Sequence, residues 1–378
     1  MIRKFLKSQK KYTNYNSNYF RMKLKDPFFV AEISANHCGK FLNAKKLIKC
    51  AKDNGADAVK LQTFTPDTMT IKSKKKFFKI KAGLWKGFDL WSLYKKAHTP
   101  LSWHKQLFEY GKKIGITVFS TPFDETAVDF LEKLNCPIYK VSSFEMTDIP
   151  LIKKIASTKK PLIISTGMAN LNEIETTFKV AKKYGAKDIT LLYCVSNYPS
   201  KNTDFNLNNI KILKKKFKCK VGLSDHSKDN NVAIAAVASG AQVIEKHIAL
   251  HNQKKGLDLE FSLKGNEIYD FAENLILAKK LFKKNRDDLI KIYKELMGRN
   301  KFYRNKTENK SKIFRRSIFV AQDIKKGERF DFYNIRRIRP GHGLPPKYYE
   351  RLIGKKAPYK MLMGNPLKKS VLTKLKIS

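Results

Sequence analysis

From Phe28 onward the chain keeps one rhythm. A short apolar, β-rich run is followed by an amphipathic stretch at helical spacing, and then by another run. That alternation restricts the fold more than any other feature. "FFVAEIS" (Phe28–Ser34) precedes "NAKKLIKCAKDNG", where Ala44, Leu47, Ile48 and Ala51 recur at helical spacing and Gly55 marks a stop. "DAVKLQ" comes next, then "ITVFST", "CPIYKVSS", "PLIIST", "DITLLYCVS", "CKVGLSDH" and "AQVIEKH". Helical pieces lie between them, and "EIYDFAENLILAKKLF" closes the series. The runs are apolar throughout, as expected of parallel strands covered on both faces. About eight βα units predict an α/β chain that closes into a (β/α)₈ TIM barrel.

The rhythm breaks at both ends and once within. Residues 1–26 are basic and lack the apolar core of a secretory signal, so a disordered extension is expected, with Met22 a candidate start. Residues 27–285 form the expected barrel, 286–312 a charged linker, and 313–378 a small β-rich domain punctuated by Gly and Pro. Inside the barrel, Phe64 to Pro100 separates the second strand from its helix and carries Phe77, Phe78, Leu84, Trp85, Trp91 and Tyr94. Two readings fit it: an insertion packed by its own aromatics, or a lid over the barrel mouth.

The formal charge of +45 raises nucleic acid, acidic surfaces and anionic substrates as partners. The excess is mostly Lys and is spread along the chain. Nucleic-acid readout favours clustered Arg or a basic stripe interleaved with aromatics, so no nucleic-acid partner is expected. A diffuse lysine bias and an anion-attracting field both remain open. The five cysteines are scattered and form no CxxC pair, which argues against a disulfide framework or a cysteine zinc site. No apolar run is long enough to span a bilayer, so a cytoplasmic protein without membrane attachment is expected.

Barrel enzymes place their chemistry where strands end. The strand ends here offer Glu32 with Asn36 and His37; Lys60 with Gln62; Ser120 with Thr121; Lys140 with Ser142, Ser143 and Glu145; Ser165 with Thr166; Ser196 with Tyr198; Ser224 with Asp225 and His226; and Glu245 with His247. His226 and His247 close neighbouring strands and can lean into one mouth. They read either as ligands of a divalent metal, Mn²⁺ or Mg²⁺ rather than structural zinc, or as histidines satisfied in the core. Lys60 and Lys140 are expensive at buried strand ends unless paired. They could form a Schiff base, pair with a substrate phosphate or carboxylate, or pair with Glu32 and Glu145. The hydroxyls of Thr121, Ser143, Ser165, Ser196 and Ser224 are donors for anionic oxygens. Together these groups favour a substrate carrying both phosphate and carboxylate.

The motifs "AEISANH", "DAVKLQTFTPDT", "FSTPFD", "PIYKVSSFE", "IISTGMA", "VGLSDHS" and "VIEKHIAL" stand in the order of the sialic acid synthase family, which the chain resembles from Pro27 to its end. "RPGHG" and its surroundings resemble that family's antifreeze-like (SAF) domain. "TPDTMT", "LWSLYKKAHTP", "TAVDFLEKLNCPIYKVSSFEMTDIPLI" and "GLDLEFSL" are most similar to the pseudaminic acid branch. The resemblance implies condensation of phosphoenolpyruvate with an amino-sugar aldose, 2,4-diacetamido-2,4,6-trideoxy-L-altrose in that branch. It implies a metal on His226 and His247, and anion binding by Lys60, Lys140, Thr121, Ser143, Ser165, Ser196 and Ser224. Glu32 would move a proton or orient water, and Glu145, Tyr198 and Asp258 would hold the sugar. Arg339 would reach a partner's site in a domain-swapped homodimer. The chain departs from the pattern at Cys38, where that branch tends to have Asn, and at Ser196, where the sialic acid branch has Asn. The lysine load and the N-terminal extension are not family features.

Three other readings remain at this stage. A synthase of N-acetylneuraminic or legionaminic acid would share the chemistry and differ in sugar. A Schiff-base aldolase would use Lys60 or Lys140 without a metal. A basic nucleic-acid-binding protein would be indifferent to losing His226.

Overall fold

The computed structural model describes residues 26–284 and 290–377. Eight parallel strands close on themselves: β1 (Phe28–Glu32), β2 (Ala58–Thr63), β3 (Thr117–Pro122), β4 (Tyr139–Val141), β5 (Leu162–Ser165), β6 (Ile189–Cys194), β7 (Lys220–Asp225) and β8 (Val243–Ala249). β1 pairs with both β2 and β8, which completes the ring and makes the fold a TIM barrel. A short β9 (Leu263–Lys264) adds to the end of β8.

Local chemistry starts and stops the helices between the strands. Asp124 accepts the Thr126 and Ala127 amides (2.8 and 3.1 Å) and opens helix Glu125–Lys133. Asn170 and Glu173 form a reciprocal capping box that opens Leu171–Lys183. Gly115, at φ +74°, ends Leu101–Ile114 in the left-handed conformation that suits glycine. The core is continuous from the strands to the inner helix faces, through residues such as Val30, Val59, Leu191, Val221, Leu47 and Leu151. Each fully buried branched side chain contributes roughly 1.5–3 kcal/mol.

The insertion after β2 holds two short helices, Pro66–Met69 and Leu90–Ala97. The first of the two sequence readings, an insertion packed by its own aromatics, describes its core. Phe64, Met69, Phe78, Leu90 and Tyr94 form a core of their own, shared with Phe319 and Ile338 of the C-terminal unit. Trp85 reaches over the barrel mouth and donates from Nε1 to the Leu257 carbonyl (3.1 Å).

The C-terminal unit pairs β10 (Ser317–Val320) antiparallel with β11 (Ile335–Ile338) around its own core of Ile318, Ile324, Phe330, Leu344 and Leu352. The stretch leading into it is not a bare tether. It contains helix Lys294–Met297 and a 3₁₀ segment, Lys306–Phe314, in which Glu308 is buried. Among the described residues no helix is long and apolar enough to cross a membrane, and Cys38, Cys50, Cys136, Cys194 and Cys219 are free thiols. The extension before Asp26 lies outside the described residues.

Candidate active site

One cavity opens at the C-terminal ends of the strands. Its wall includes Glu32, Lys60, Lys140, Ser143, Ser165, Tyr198, Ser224, His226, Glu245, His247, Asp258 and Arg339. Strand register builds the charged floor. Glu32 lies beside Lys60 across β1–β2 and beside His247 across β1–β8, so the three side chains share one row.

The two strand-end lysines are buried and paired, and of the two carboxylates expected as their partners Glu32 takes part while Glu145 does not. Lys60 contacts Glu32 and lies 3.8 Å from Glu245, and Lys140 lies 3.4 Å from Glu245. Glu245, from β8, takes the place expected for Glu145. Burial pulls the Lys60 ammonium down to about 7, further than the facing Glu245 restores, and Lys140 adds to the drop. Burial alone would raise Glu245; Lys140 and Lys60 hold it below the usual carboxylate range. Ser224 donates to Glu245 (3.1 Å).

His226 and His247 face each other with ring centroids 5.5 Å apart. Nδ1 of His226 lies 3.1 Å from the Val195 carbonyl, so it carries the proton and leaves Nε2 with its lone pair. Nδ1 of His247 is buried without a hydrogen-bond partner. Burial lowers His226 and drives His247 well below the ordinary range, the latter helped by His226 and Lys60. Both rings are therefore neutral at pH 7. Two adjacent neutral imidazoles, one fixed in its tautomer by a backbone carbonyl and one with an unused buried nitrogen, fit a divalent cation. Among the described residues no group of three or more His, Cys, Asp or Glu side chains is placed to hold a metal ion, so the two imidazoles alone would supply protein ligands. A metal held here would keep open positions.

Aromatic rings close the apolar side. Tyr198 packs on His226 (4.5 Å between centroids), and Phe261 packs on His247 (4.8 Å). Burial raises the Tyr198 phenol well above its ordinary value, so it stays protonated. Asp258, raised by burial, accepts from the Ser34 hydroxyl at 2.5 Å, and Gln62 donates to that same hydroxyl at 2.9 Å. Ser34 holds φ +40°, a left-handed conformation rare for serine. Its backbone N–H donates to Glu32 (2.6 Å), so the turn fixes both carboxylates.

Several sequence expectations change here. Glu145, expected to hold the sugar, is not part of the cavity wall: Arg339 grips it through Nη2 (2.7 and 2.8 Å) and Nε (3.0 Å), Arg316 adds 3.3 Å, and Ser142 also donates to it. That saturates the carboxylate and makes it the anchor of the C-terminal unit. Arg339 enters the mouth of its own chain, where the resemblance implied a partner's arginine, and lies over Phe144 at 4.7 Å. Thr121 stands behind the wall, 3.3 Å from Lys60 Nζ, and Ser196 sits behind it near Cys194. Asn36 and His37 turn to structural work, Asn36 donating to the Ile248 carbonyl (2.8 Å) and His37 packing on Trp103. Sequence reasoning passed over Ser34, Arg316 and Cys194. Only the run "SANH" after β1 hinted at the first, and the partner of Arg316 lies 171 residues away.

The NeuB family model matches residues 47–286, and the SAF domain model matches 315–373. The chain belongs to the NeuB family. It is 41% identical over 344 residues to the pseudaminic acid synthase of Campylobacter jejuni serotype O:2, covering 91% of this chain and 96% of that one. It is 39% identical over 336 residues to the N,N'-diacetyllegionaminic acid synthase of the same organism, covering 88% and 96%. Among solved structures, the spore coat polysaccharide biosynthesis protein SpsE of Bacillus subtilis superposes with a TM-score of 0.77 at 28% identity, covering 92% of this chain and 95% of that one. The charged floor and its two histidines thus belong to a NeuB-family barrel capped by its SAF domain.

Proposed function

We propose that the protein joins phosphoenolpyruvate to 2,4-diacetamido-2,4,6-trideoxy-L-altrose, giving pseudaminic acid and phosphate. The observation that carries this reading is a single cavity with two buried lysines and two neutral imidazoles in its wall. The pseudaminic acid synthase that matches over nearly the full length of both chains supports the choice of sugar.

In this reading Lys60 and Lys140, with Ser143, Ser165 and Ser224, bind the phosphate and carboxylate of phosphoenolpyruvate. Thr121 and Ser196 support that group from behind the wall. An anion beside Lys60 favours its charged form and opposes the effect of burial. The lysines then serve as anion binders rather than Schiff-base formers. C3 of phosphoenolpyruvate bonds to the aldehyde carbon of the open-chain sugar, whose oxygen takes up a proton. Water adds at C2 and gives up a proton, and the C2–O bond to phosphate breaks. Glu32, on the Lys60 ammonium and beside His247 in register, is placed to orient that water or accept its proton. His226 and His247 would hold Mn²⁺ or Mg²⁺, which supplies Lewis-acid polarisation of the aldehyde. Tyr198, Asp258 and Arg339 line the sugar side, and Glu145 keeps Arg339 in place. The reaction belongs in the cytoplasm, where phosphoenolpyruvate is made. The domain-swapped homodimer is part of the proposal, because two copies exchanging SAF units would form the same Arg339–Glu145 contact between chains.

The 39% identical legionaminic acid synthase keeps a second sugar in view. The test incubates purified protein with phosphoenolpyruvate and each candidate sugar, with Mn²⁺ or with EDTA, and follows phosphate release and product mass. Metal-dependent release with the diacetamido-trideoxy-altrose alone is expected. Release only with the legionaminic acid precursor or with N-acetylmannosamine would move the protein to another branch. No release with any sugar would sink the proposal.

A further inference from the structure

The segment leading into the SAF unit crosses the back of the site, and two of its side chains bind the backbone of the β5 and β6 loops. The Arg304 guanidinium donates to three carbonyls: Ala169 (3.1 Å), Cys194 (2.8 Å) and Thr166. It also reaches the Thr166 hydroxyl at 3.0 Å. Glu308 is 1% exposed, and one of its oxygens accepts the amides of both Met168 (3.0 Å) and Ser196 (2.9 Å). The two side chains face each other at 3.9 Å. Thr307 extends the seam, accepting from Asn197 at 2.9 Å.

The β5 loop begins at one of the hydroxyls assigned to the anion, Ser165, and touches a second, Ser143 of the β4 loop, through Gly167. Ser165 ends β5, lines the cavity, and has a buried Oγ without a hydrogen-bond partner. Gly167 accepts no side chain, since a Cβ there would run into Ser196 Oγ and lie 2.8 Å from Ser143 Oγ; its amide donates to Ser143 Oγ at 3.0 Å. Met168 holds φ +60°, a costly conformation for a side-chain-bearing residue. Glu308 binds the amide of that strained residue.

We infer that Arg304 and Glu308 are positioning residues for phosphoenolpyruvate, locking the β5 and β6 loops so that Ser143 and Ser165 present their hydroxyls to its anionic groups. The inference rests on the proposed function and extends it: the segment between barrel and SAF unit becomes part of the substrate site. Neither residue touches the cavity, so each acts through the loops it holds.

The test uses the full-length chain with Glu308→Ala, Glu308→Gln and Arg304→Lys. Glu308→Ala leaves two buried amides unpaired, and Arg304→Lys removes the fork that serves three carbonyls. Both should raise KM for phosphoenolpyruvate about 10-fold or more while moving the sugar KM less than about 2-fold. Glu308→Gln keeps an acceptor oxygen in place and should restore most of the affinity. Calorimetric titration with phosphoenolpyruvate alone, without sugar, should show the same ranking independently of turnover. If folded variants bind phosphoenolpyruvate as tightly as wild type, or both KM values move together, the inference is overturned and the pair is structural. If the wild type binds no phosphoenolpyruvate, the proposed function falls as well.

Discussion

His37, His104, His226 and His247 are all buried, yet they divide into two kinds. The first two lie away from the charged floor. His104 is held between the Thr63 hydroxyl (2.9 Å) and the Pro100 carbonyl (3.1 Å). Burial lowers His37 to about 4, with His98 and His104 adding to the drop, and burial lowers His104 to about 4. The unfolded chain would bind a proton at each near pH 6.5, while the folded chain binds it only near 4. Their folded values are depressed, so stability present above about pH 6.5 is lost as pH falls toward about 4, on the order of 3 kcal/mol for each residue by the end of that window. Urea midpoints should therefore fall between about pH 6.5 and 5, before most carboxylates titrate. In His104→Asn the decline over that range should be shallower. A flat midpoint from about pH 7 to 5 would contradict the assignment of neutral buried rings.

At the scale of elements, the strand ends were readable because a parallel barrel strand is apolar until it reaches the mouth, so the first charged residue marks the rim. Lys60, Lys140, His226 and His247 stood out for that reason. What each side chain does there was less readable. Glu145 and Glu245 both follow apolar runs, and spacing cannot say which one turns inward. Register decides it, since β7–β8 pairing sets Ser224 beside Glu245. Gly222 was hidden in the same way, looking like one more residue of the run "CKVGLSDH". In the barrel a Cβ at Gly222 would run into the Val243 carbonyl, its register partner, and sit 2.7 Å from Leu192 Cδ2. Backbone on the neighbouring strand cannot give way as a long side chain can. Gly222→Ala should cost about 3 kcal/mol or more, at the top of the range for overpacking. A lowered denaturant midpoint with unchanged slope is the expected readout. A wild-type midpoint would mean that β7 and β8 separate more easily than their pairing implies.

At the scale of the molecule, the parts missed from sequence are the ones that join distant segments. Arg339 meets Glu145 across 194 residues, and Glu308 meets Met168 across 140. No local pattern records such contacts, and the charged, irregular stretch 286–312 reads as linker because the partners of its Arg304 and Glu308 lie elsewhere in the chain. The Arg339–Glu145 clamp also bears on the proposed assembly. Arg337 reinforces it on Asp148 at 2.9 Å, so the SAF unit docks through buried ion pairs that lose much if one partner is removed. That geometry is satisfied within one chain and would be satisfied equally between two. Two variants separate the cases under the proposed function: Glu32→Gln is expected to disable the barrel, and Arg339→Ala the SAF contribution. If units are exchanged, a mixed dimer places the intact barrel of one chain under the intact Arg339 of the other. The proposed swapped homodimer therefore predicts that co-expressing the two variants restores phosphate release, up to about a quarter of the wild-type rate, since roughly one site in four is complete. Without exchange, every barrel either has lost the Glu32 carboxylate or lacks the arginine of its own SAF unit, and mixing restores nothing. The second result would leave each SAF unit on the barrel of its own chain, as in the structure described, and would remove the swapped dimer from the proposal.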